Sequence, residues 1–211
     1  MYISVKSYEE KYLAGKDVSA LNDEINKLRR EIARSKSKLE SPVTVRNISM
    51  ARDIGAIDVY RSYLMSALQY LADVTGDAPA FTEEEKASAA FDSTVDSISC
   101  VTLTYGRYLQ NKYELAFEGG GASIVESKLE CDPTVRSVDP AVAYETIRSL
   151  RLGEWRDNYN PEQYGCTLND PTLWQIRIDY GNGASPRFFD GVGVFPYNFS
   201  VLCRLMGADV I

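Results

Sequence analysis

Leu173-Trp174-Gln175-Ile176-Arg177-Ile178-Asp179-Tyr180, followed directly by Gly181-Asn182-Gly183, is the stretch on which the fold class turns. Trp174, Ile176 and Ile178 alternate with Gln175, Arg177 and Asp179. Aromatic and β-branched residues in that rhythm suit the pleated, half-buried surface of a strand. The glycines supply the positive φ of a hairpin turn, so residues 184–189 are expected to pair back.

Upstream, residues 97–105 carry Ile98, Cys100, Val101, Leu103 and Tyr105 and read as another strand. Residues 112–117 place Tyr113, Leu115 and Phe117 on one face, with Lys112 and Glu114 interleaved and Glu118 following. Gly119-Gly120-Gly121 turns the chain, and residues 122–129 return, completing an antiparallel meander of about three strands. Asp139-Pro140 opens a helix, Asp as cap and Pro at its first position, expected to reach about Leu152 and to close at Gly153. A loop rich in Asn, Asp, Pro and Tyr covers residues 155–172. Pro196 opens a last short helix with Phe199, Leu202 and Leu205 inward, ended by Gly207.

The first third has a different period. Ser7-Tyr8-Glu9-Glu10 has the form of a capping box and predicts a short helix stopped by Gly15. Asp17 or Ser19 then caps a helix to about Glu40, with Leu21, Ile25, Leu28, Ile32 and Leu39 in steps of four and three and Ser35 in the vacant slot. Ser41-Pro42 breaks it. Met50, Ile54, Ile57, Leu64, Leu68 and Leu71 line a second long helix ended by Gly76 and Pro79, so a helical hairpin is expected. Thr82 with Glu83, Glu84 and Glu85 caps one more helix through about Phe91. The fold class is therefore α+β: an N-terminal helical hairpin, then an antiparallel sheet with packed helices. Boundaries suggest themselves near residues 77–80 and 92–96; taken at the second, residues 1–92 form a helical domain and 93–211 an α+β domain.

Composition narrows function. The 211 residues include no histidine. Histidine is the side chain that titrates near neutrality and the commonest metal ligand, so Ser-His-Asp and Cys-His nucleophile pairs and mixed Cys/His zinc sites are excluded. The four cysteines, Cys100, Cys131, Cys166 and Cys203, include no close pair, so they read as buried thiols and no metal or cofactor site is expected. No apolar run is long enough to span a membrane, and the first residues lack the pattern of a secretory signal, so a cytoplasmic protein is expected. Residues 1–61 hold 12 Lys and Arg against 9 Asp and Glu, net +3; residues 62–211 hold 11 against 21, net −10. A mildly basic head and a strongly acidic body make two electrostatic surfaces.

Candidate contact residues follow. Lys27, Arg30, Arg34 and Lys38 share the helix face opposite the apolar seam and, with Arg29 and Lys36, form the strongest basic cluster, a potential phosphate-contacting face or a solvated one. Arg61 falls between Ile57 and Leu64 and is expected to snorkel from the stripe's edge. Tyr63 and Tyr70, on the side away from the Leu seam, suit a contact surface or a second core contact with the sheet domain. Asp157 and Asp170, with Tyr159 near them in the loop, are further contact candidates; with Asp179 and Asp190 the two aspartates could alternatively serve a metal-dependent hydrolase.

Trp155, Tyr159, Trp174-Gln175-Ile176-Arg177-Ile178, the glycine hairpin and Phe195-Pro196-Tyr197-Asn198-Phe199 together resemble a module of small uncharacterised bacterial and phage proteins. The resemblance covers about 60 residues and implies a small α+β module with an aromatic core; it implies no reaction. Size, charge and abundant Tyr are similar in general character to anti-CRISPR and other anti-defence proteins. The expectation is a non-enzymatic inhibitor whose acidic surface blocks the basic nucleic-acid channel of a nuclease. The alternatives are an accessory nucleic-acid binder using the basic helix, residues 27–38, and a carboxylate-dependent hydrolase.

Overall fold

The computed structural model describes residues 2–42 and 49–208, the side chains of 49–51 excepted. Among the described residues there are six α-helices and seven strands, so the chain is an α+β protein. Its contacts divide into two compact units, Met1–Thr82 and Glu83–Ile211.

The first unit is helical: α1 (Val5–Tyr12), α2 (Val18–Glu40) and α3 (Ser49–Thr75). Asp17 caps α2 by accepting from the Ala20 N–H at 2.8 Å. The cap of α1 is Ser4, whose Oγ accepts from the Ser7 N–H. The helix therefore starts earlier than the Ser7 box predicts; a serine three residues upstream reached the free N–H first. Leu21, Ile25 and Leu28 of α2 are buried with Tyr63, Leu64, Ala67 and Leu68 of α3 and with Tyr8 of α1. At the other end Lys38 of α2 meets Asp53 of α3 at 2.9 Å, so the two long helices run antiparallel, as their spacing predicts. Met50, placed on the α3 stripe by its spacing, has its side chain outside the described set.

The second unit is one seven-stranded sheet with helices on it. Its strands are β1 (Ile98–Gly106), β2 (Asn111–Glu118), β3 (Gly121–Ser127), β4 (Thr134–Val138), β5 (Asn158–Tyr159), β6 (Leu173–Tyr180) and β7 (Arg187–Val192), in the order β4-β3-β2-β1-β6-β7-β5. The meander and the late hairpin are joined by antiparallel pairing of β1 with β6, Val101 opposite Ile178 and Leu103 opposite Ile176. The sheet is mixed, since β5 pairs with β7 in parallel. Three expectations need correction. The strand after the glycine hairpin begins at Arg187 and runs to Val192, because Ile178 pairs with Arg187; Asp179 and Tyr180 pair with β1 alone, and residues 181–186 form a longer connection. The meander, expected to hold about three strands, has a fourth, β4, which pairs along β3. The region 155–172 holds β5 and a short 3₁₀ turn, Pro161–Tyr164, as well as loop.

Three helices complete this unit: α4 (Glu83–Asp92), α5 (Pro140–Ser149) and α6 (Phe199–Met206). Phe91 of α4 belongs to the sheet unit's core, so the compact unit begins ten residues before the division at 92. Asp139 caps α5, accepting from the Ala141 N–H. That helix ends at Ser149, with Arg151 left-handed at φ 48°, before Gly153 is reached. Gly153 serves a different end: any β-carbon there would collide with the backbone of Ala87 and Ser88 in α4.

One face of the sheet is the core. Val101, Leu103, Tyr113, Leu115, Ile124, Trp174, Ile176, Ile178 and Phe189 lie under Ala143 and Ile147 of α5 and Phe199, Leu202 and Met206 of α6. Trp174 is fully buried beside Phe199, ring centres 4.8 Å apart, and donates its indole N–H to the Val194 carbonyl at 2.7 Å. Asn198 is buried too; its Oδ1 accepts from Trp155 Nε1 at 3.0 Å and its Nδ2 donates to the Leu150 carbonyl at 2.9 Å, tying the start of α6 to the end of α5. The other face carries Thr102, Thr104, Lys112, Glu114, Gln175 and Arg177, all at least partly exposed.

Candidate functional site

The basic face of α2 is present, but its charges are partly engaged at home. Lys27 donates to Glu24 at 3.1 Å, Lys38 to Asp53, and Arg29 to the Ala80 carbonyl at 2.8 Å. Arg30 and Arg34 are exposed four residues apart on the same face. Arg61 does not snorkel. It is buried beside Asp58, 3.4 Å away on the preceding turn.

The tyrosine pair divides. Tyr63 lies in the helical unit's core, its ring stacked on Tyr8 with centres 4.0 Å apart. Its hydroxyl donates to the Ile3 carbonyl at 2.6 Å and accepts from the Ile3 N–H at 3.1 Å, so Tyr63 anchors the N-terminal segment and offers no outward surface. Tyr70 is half-buried against the same core. Tyr159 is fully buried against Trp174. Its hydroxyl accepts from the Arg156 N–H, so it belongs to the aromatic core of the sheet unit. Asp157 and Asp170 are exposed.

The aspartates of the last third do not gather. Asp170 pairs with Arg107, Asp179 takes the guanidinium of Arg177, and Asp190 bonds Asn158. The Arg177 hydrogen bonds hold the Asp179 carboxyl below its usual range. Among the described residues no three Cys, Asp or Glu side chains come together as a metal site would require. Cys203 is buried, Cys100 and Cys166 are half-buried, and Cys131, expected inside, is exposed in the connection before β4.

Two polar groupings escaped the sequence reading. Glu24 is buried within α2, accepting from the Tyr8 hydroxyl at 2.6 Å and from Lys27, with Lys16 at 3.9 Å. Burial pushes its carboxyl up, but the bonds from Tyr8 and Lys27 and the charges of Lys27 and Lys16 outweigh that, and the net shift is downward. Burial and then the Glu24 bond push the Tyr8 phenol well above its usual value. The signal was a carboxylate beside the Leu21–Ile25–Leu28 seam, at a position an apolar reading passes over. The second grouping is Trp155–Asn198–Leu150, which only long-range packing brings together.

The exterior of the sheet unit is where charge is concentrated. Residues 83–211 hold 11 Lys and Arg against 19 Asp and Glu, net −8. Glu83, Glu84, Asp96, Glu118, Glu130, Asp132, Asp139, Glu145, Asp157, Glu162, Asp170 and Asp190 are all exposed. Such an arrangement suits non-covalent contact with a cationic surface. Among the described residues no helix is long and apolar enough to cross a membrane. No protein-family model, curated protein or solved structure matches the chain.

Proposed function

We propose that this chain is a non-catalytic binding protein whose acidic sheet unit docks on a basic surface of a protein partner, in the manner of an inhibitor that occupies the nucleic-acid channel of a nuclease. The observation that supports this reading is the net charge of −8 on residues 83–211, with twelve of its carboxylates exposed. Glu83, Asp96 and Asp170 of these pair with Lys86, Arg148 and Arg107, and the unit as a whole still carries an excess of negative charge that reaches solvent. The tyrosines that suggested a contact surface, Tyr63 and Tyr159, are consumed inside the two cores, and this moves the weight of the reading from aromatic contact to charge. A phage or mobile-element setting, and an anti-CRISPR type of target, are the particular form of the same proposal.

The experiment is affinity capture with the tagged full chain, nuclease-treated, over a salt series, followed by competition between the captured partner's nucleic acid and this chain. Binding is expected to weaken about tenfold or more from low to moderate ionic strength, since exposed charges beyond a Debye length of about 8 Å are screened at physiological salt. Association indifferent to salt, or a partner that binds nucleic acid and this chain together, overturns the proposal.

Exposed Arg30 and Arg34 support a second reading, an accessory nucleic-acid contact through α2. Reversal of both charges, R30E/R34E, is expected to abolish binding to a labelled duplex at low salt; absence of binding by the unaltered chain removes this reading.

A further inference from the structure

The strand order collects three connections at one end of the sheet: residues 107–110 between β1 and β2, residues 128–133 between β3 and β4, and the segment running into β6 before Leu173. Tyr108 and Leu129, 80% and 71% exposed, sit in the first two, and Val135, 68% exposed, stands just inside β4. These are the three most exposed large apolar side chains among the described residues, and all lie toward one end of one sheet. Each connection also contains a non-glycine residue with left-handed backbone: Leu109 at φ 55°, Glu130 at 62° and Asp170 at 55°. Side chains other than glycine rarely adopt that conformation, so the three connections have defined shapes. The first is braced further, since Gln110 accepts from the Tyr108 N–H at 2.8 Å and Arg107 pairs with Asp170 across to the third. Lys128 is drawn back to Glu126 at 2.7 Å, which leaves exposed Glu130 and Asp132 to set the local sign.

We infer that this loop end is the contact point of the acidic unit, and that its occupant is a basic amphipathic helix of a protein partner, with apolar residues over Tyr108 and Leu129 and lysine or arginine against Glu130 and Asp132. The assignment rests on the binding reading above and goes further by placing the contact and naming the chemistry that fits it. Exposed apolar side chains with carboxylates beside them complement the apolar and cationic faces of a basic amphipathic helix. Charge complementarity selects a cationic helix over an acidic one.

The test uses the full chain and two labelled peptides, one a helix of lysine and leucine with the leucines on one face, the other identical with serine for leucine. Fluorescence anisotropy at low salt is expected to show the lysine–leucine peptide bound about tenfold more tightly, a difference of about 1.4 kcal/mol. Tyr108→Ser with Leu129→Ser should bring the two affinities within about twofold, while Met65→Ser, an exposed apolar residue on α3, should leave the ratio unchanged. Tryptophan fluorescence and far-ultraviolet circular dichroism verify the fold of each variant. If Tyr108→Ser with Leu129→Ser fails to fold, Tyr108→Lys with Asp132→Lys replaces it and should produce the same loss. A preference that survives these changes overturns the loop assignment. Equal binding of both peptides overturns it too while leaving the acidic-surface reading intact, and binding of neither at low salt overturns both. Self-association of the unaltered chain that the double variant abolishes would make a second copy the occupant, against the proposal.

Discussion

The helical unit and the sheet unit solve the same problem, a stable core, with different chemistry. In the helical unit, tyrosine hydroxyls and charged groups reach into the core and its margin: Tyr8 to Glu24 within it, Tyr63 to the Ile3 backbone and Ser66 to Glu9 at 2.7 Å at its edge. In the sheet unit, the interior is Trp155, Trp174, Phe189, Phe195 and Phe199, with Asn198 as the buried polar bridge. A core laced with ionisable groups responds to pH because its carboxylate must stay ionised. A core of aromatic rings is governed by area and fit. The chain also keeps both tryptophans, Trp155 and Trp174, in the second unit, so tryptophan fluorescence reports that unit alone.

The comparison breaks most visibly at Trp174. Trp174→Ala should cost about 4 kcal/mol through lost burial and a cavity, read as a shift in the urea midpoint followed by fluorescence of Trp155. Gly191 lies opposite Trp174 in the β6–β7 register, and a β-carbon there would enter the indole ring. Gly191→Val should cost about 3 kcal/mol by overpacking, with the helical signal at 222 nm less affected than the fluorescence. Asn198→Ala leaves the Trp155 N–H and the Leu150 carbonyl buried without partners and should cost about 2 kcal/mol.

Acid sharpens the contrast. The folded-state pKa of Glu24 lies below its unfolded value, so its contribution is complete above the ordinary carboxylate range and is lost as pH falls through that range to the lowered folded value. The helical signal at 222 nm should therefore weaken on acidification before tryptophan fluorescence changes. Glu24→Gln should flatten that part of the pH profile; an unchanged profile would remove Glu24 from the account. The smallest effect belongs to Tyr63→Phe, which keeps the stack on Tyr8 and loses the two hydrogen bonds to Ile3, about 1 kcal/mol, measured as thermal stability at 222 nm.

How much was readable follows from range of interaction. Asp17, Asp139 and the apolar seam of α2 act over a few residues, and their reading matched α2 and α5 at the start. β6 matched end to end, because its alternation is complete over eight residues. β4 was missed since Thr134-Val135-Arg136-Ser137-Val138 is short, mostly exposed and half polar, and becomes a strand only by lying along β3. Arg136 shows why a polar residue is tolerated there: its guanidinium donates to the Leu205 carbonyl at the end of α6, a partner 69 residues away. Of the candidate contact residues, exposed Arg30, Arg34, Asp157 and Asp170 stand where their local character suggested, whereas Tyr63 and Tyr159 were drawn inward by rings and backbone groups distant in the chain. Nothing local marked the loop end either, because Tyr108, Leu129 and Asp170 share it only after the strands are ordered.

The amino-acid sequence alone determined the α+β class, the helical period of the first third, the strand at Leu173–Tyr180 and the acidity of the body, for each depends on composition or on neighbours within a few positions. The tertiary structure decided the joining of meander and hairpin through β1 and β6, the burial of Glu24, Arg61, Tyr63 and Tyr159, and the gathering of exposed apolar loops at one end of the sheet. Those outcomes depend on which distant segments lie side by side, and strand pairing and desolvation act on distance in space, not along the chain.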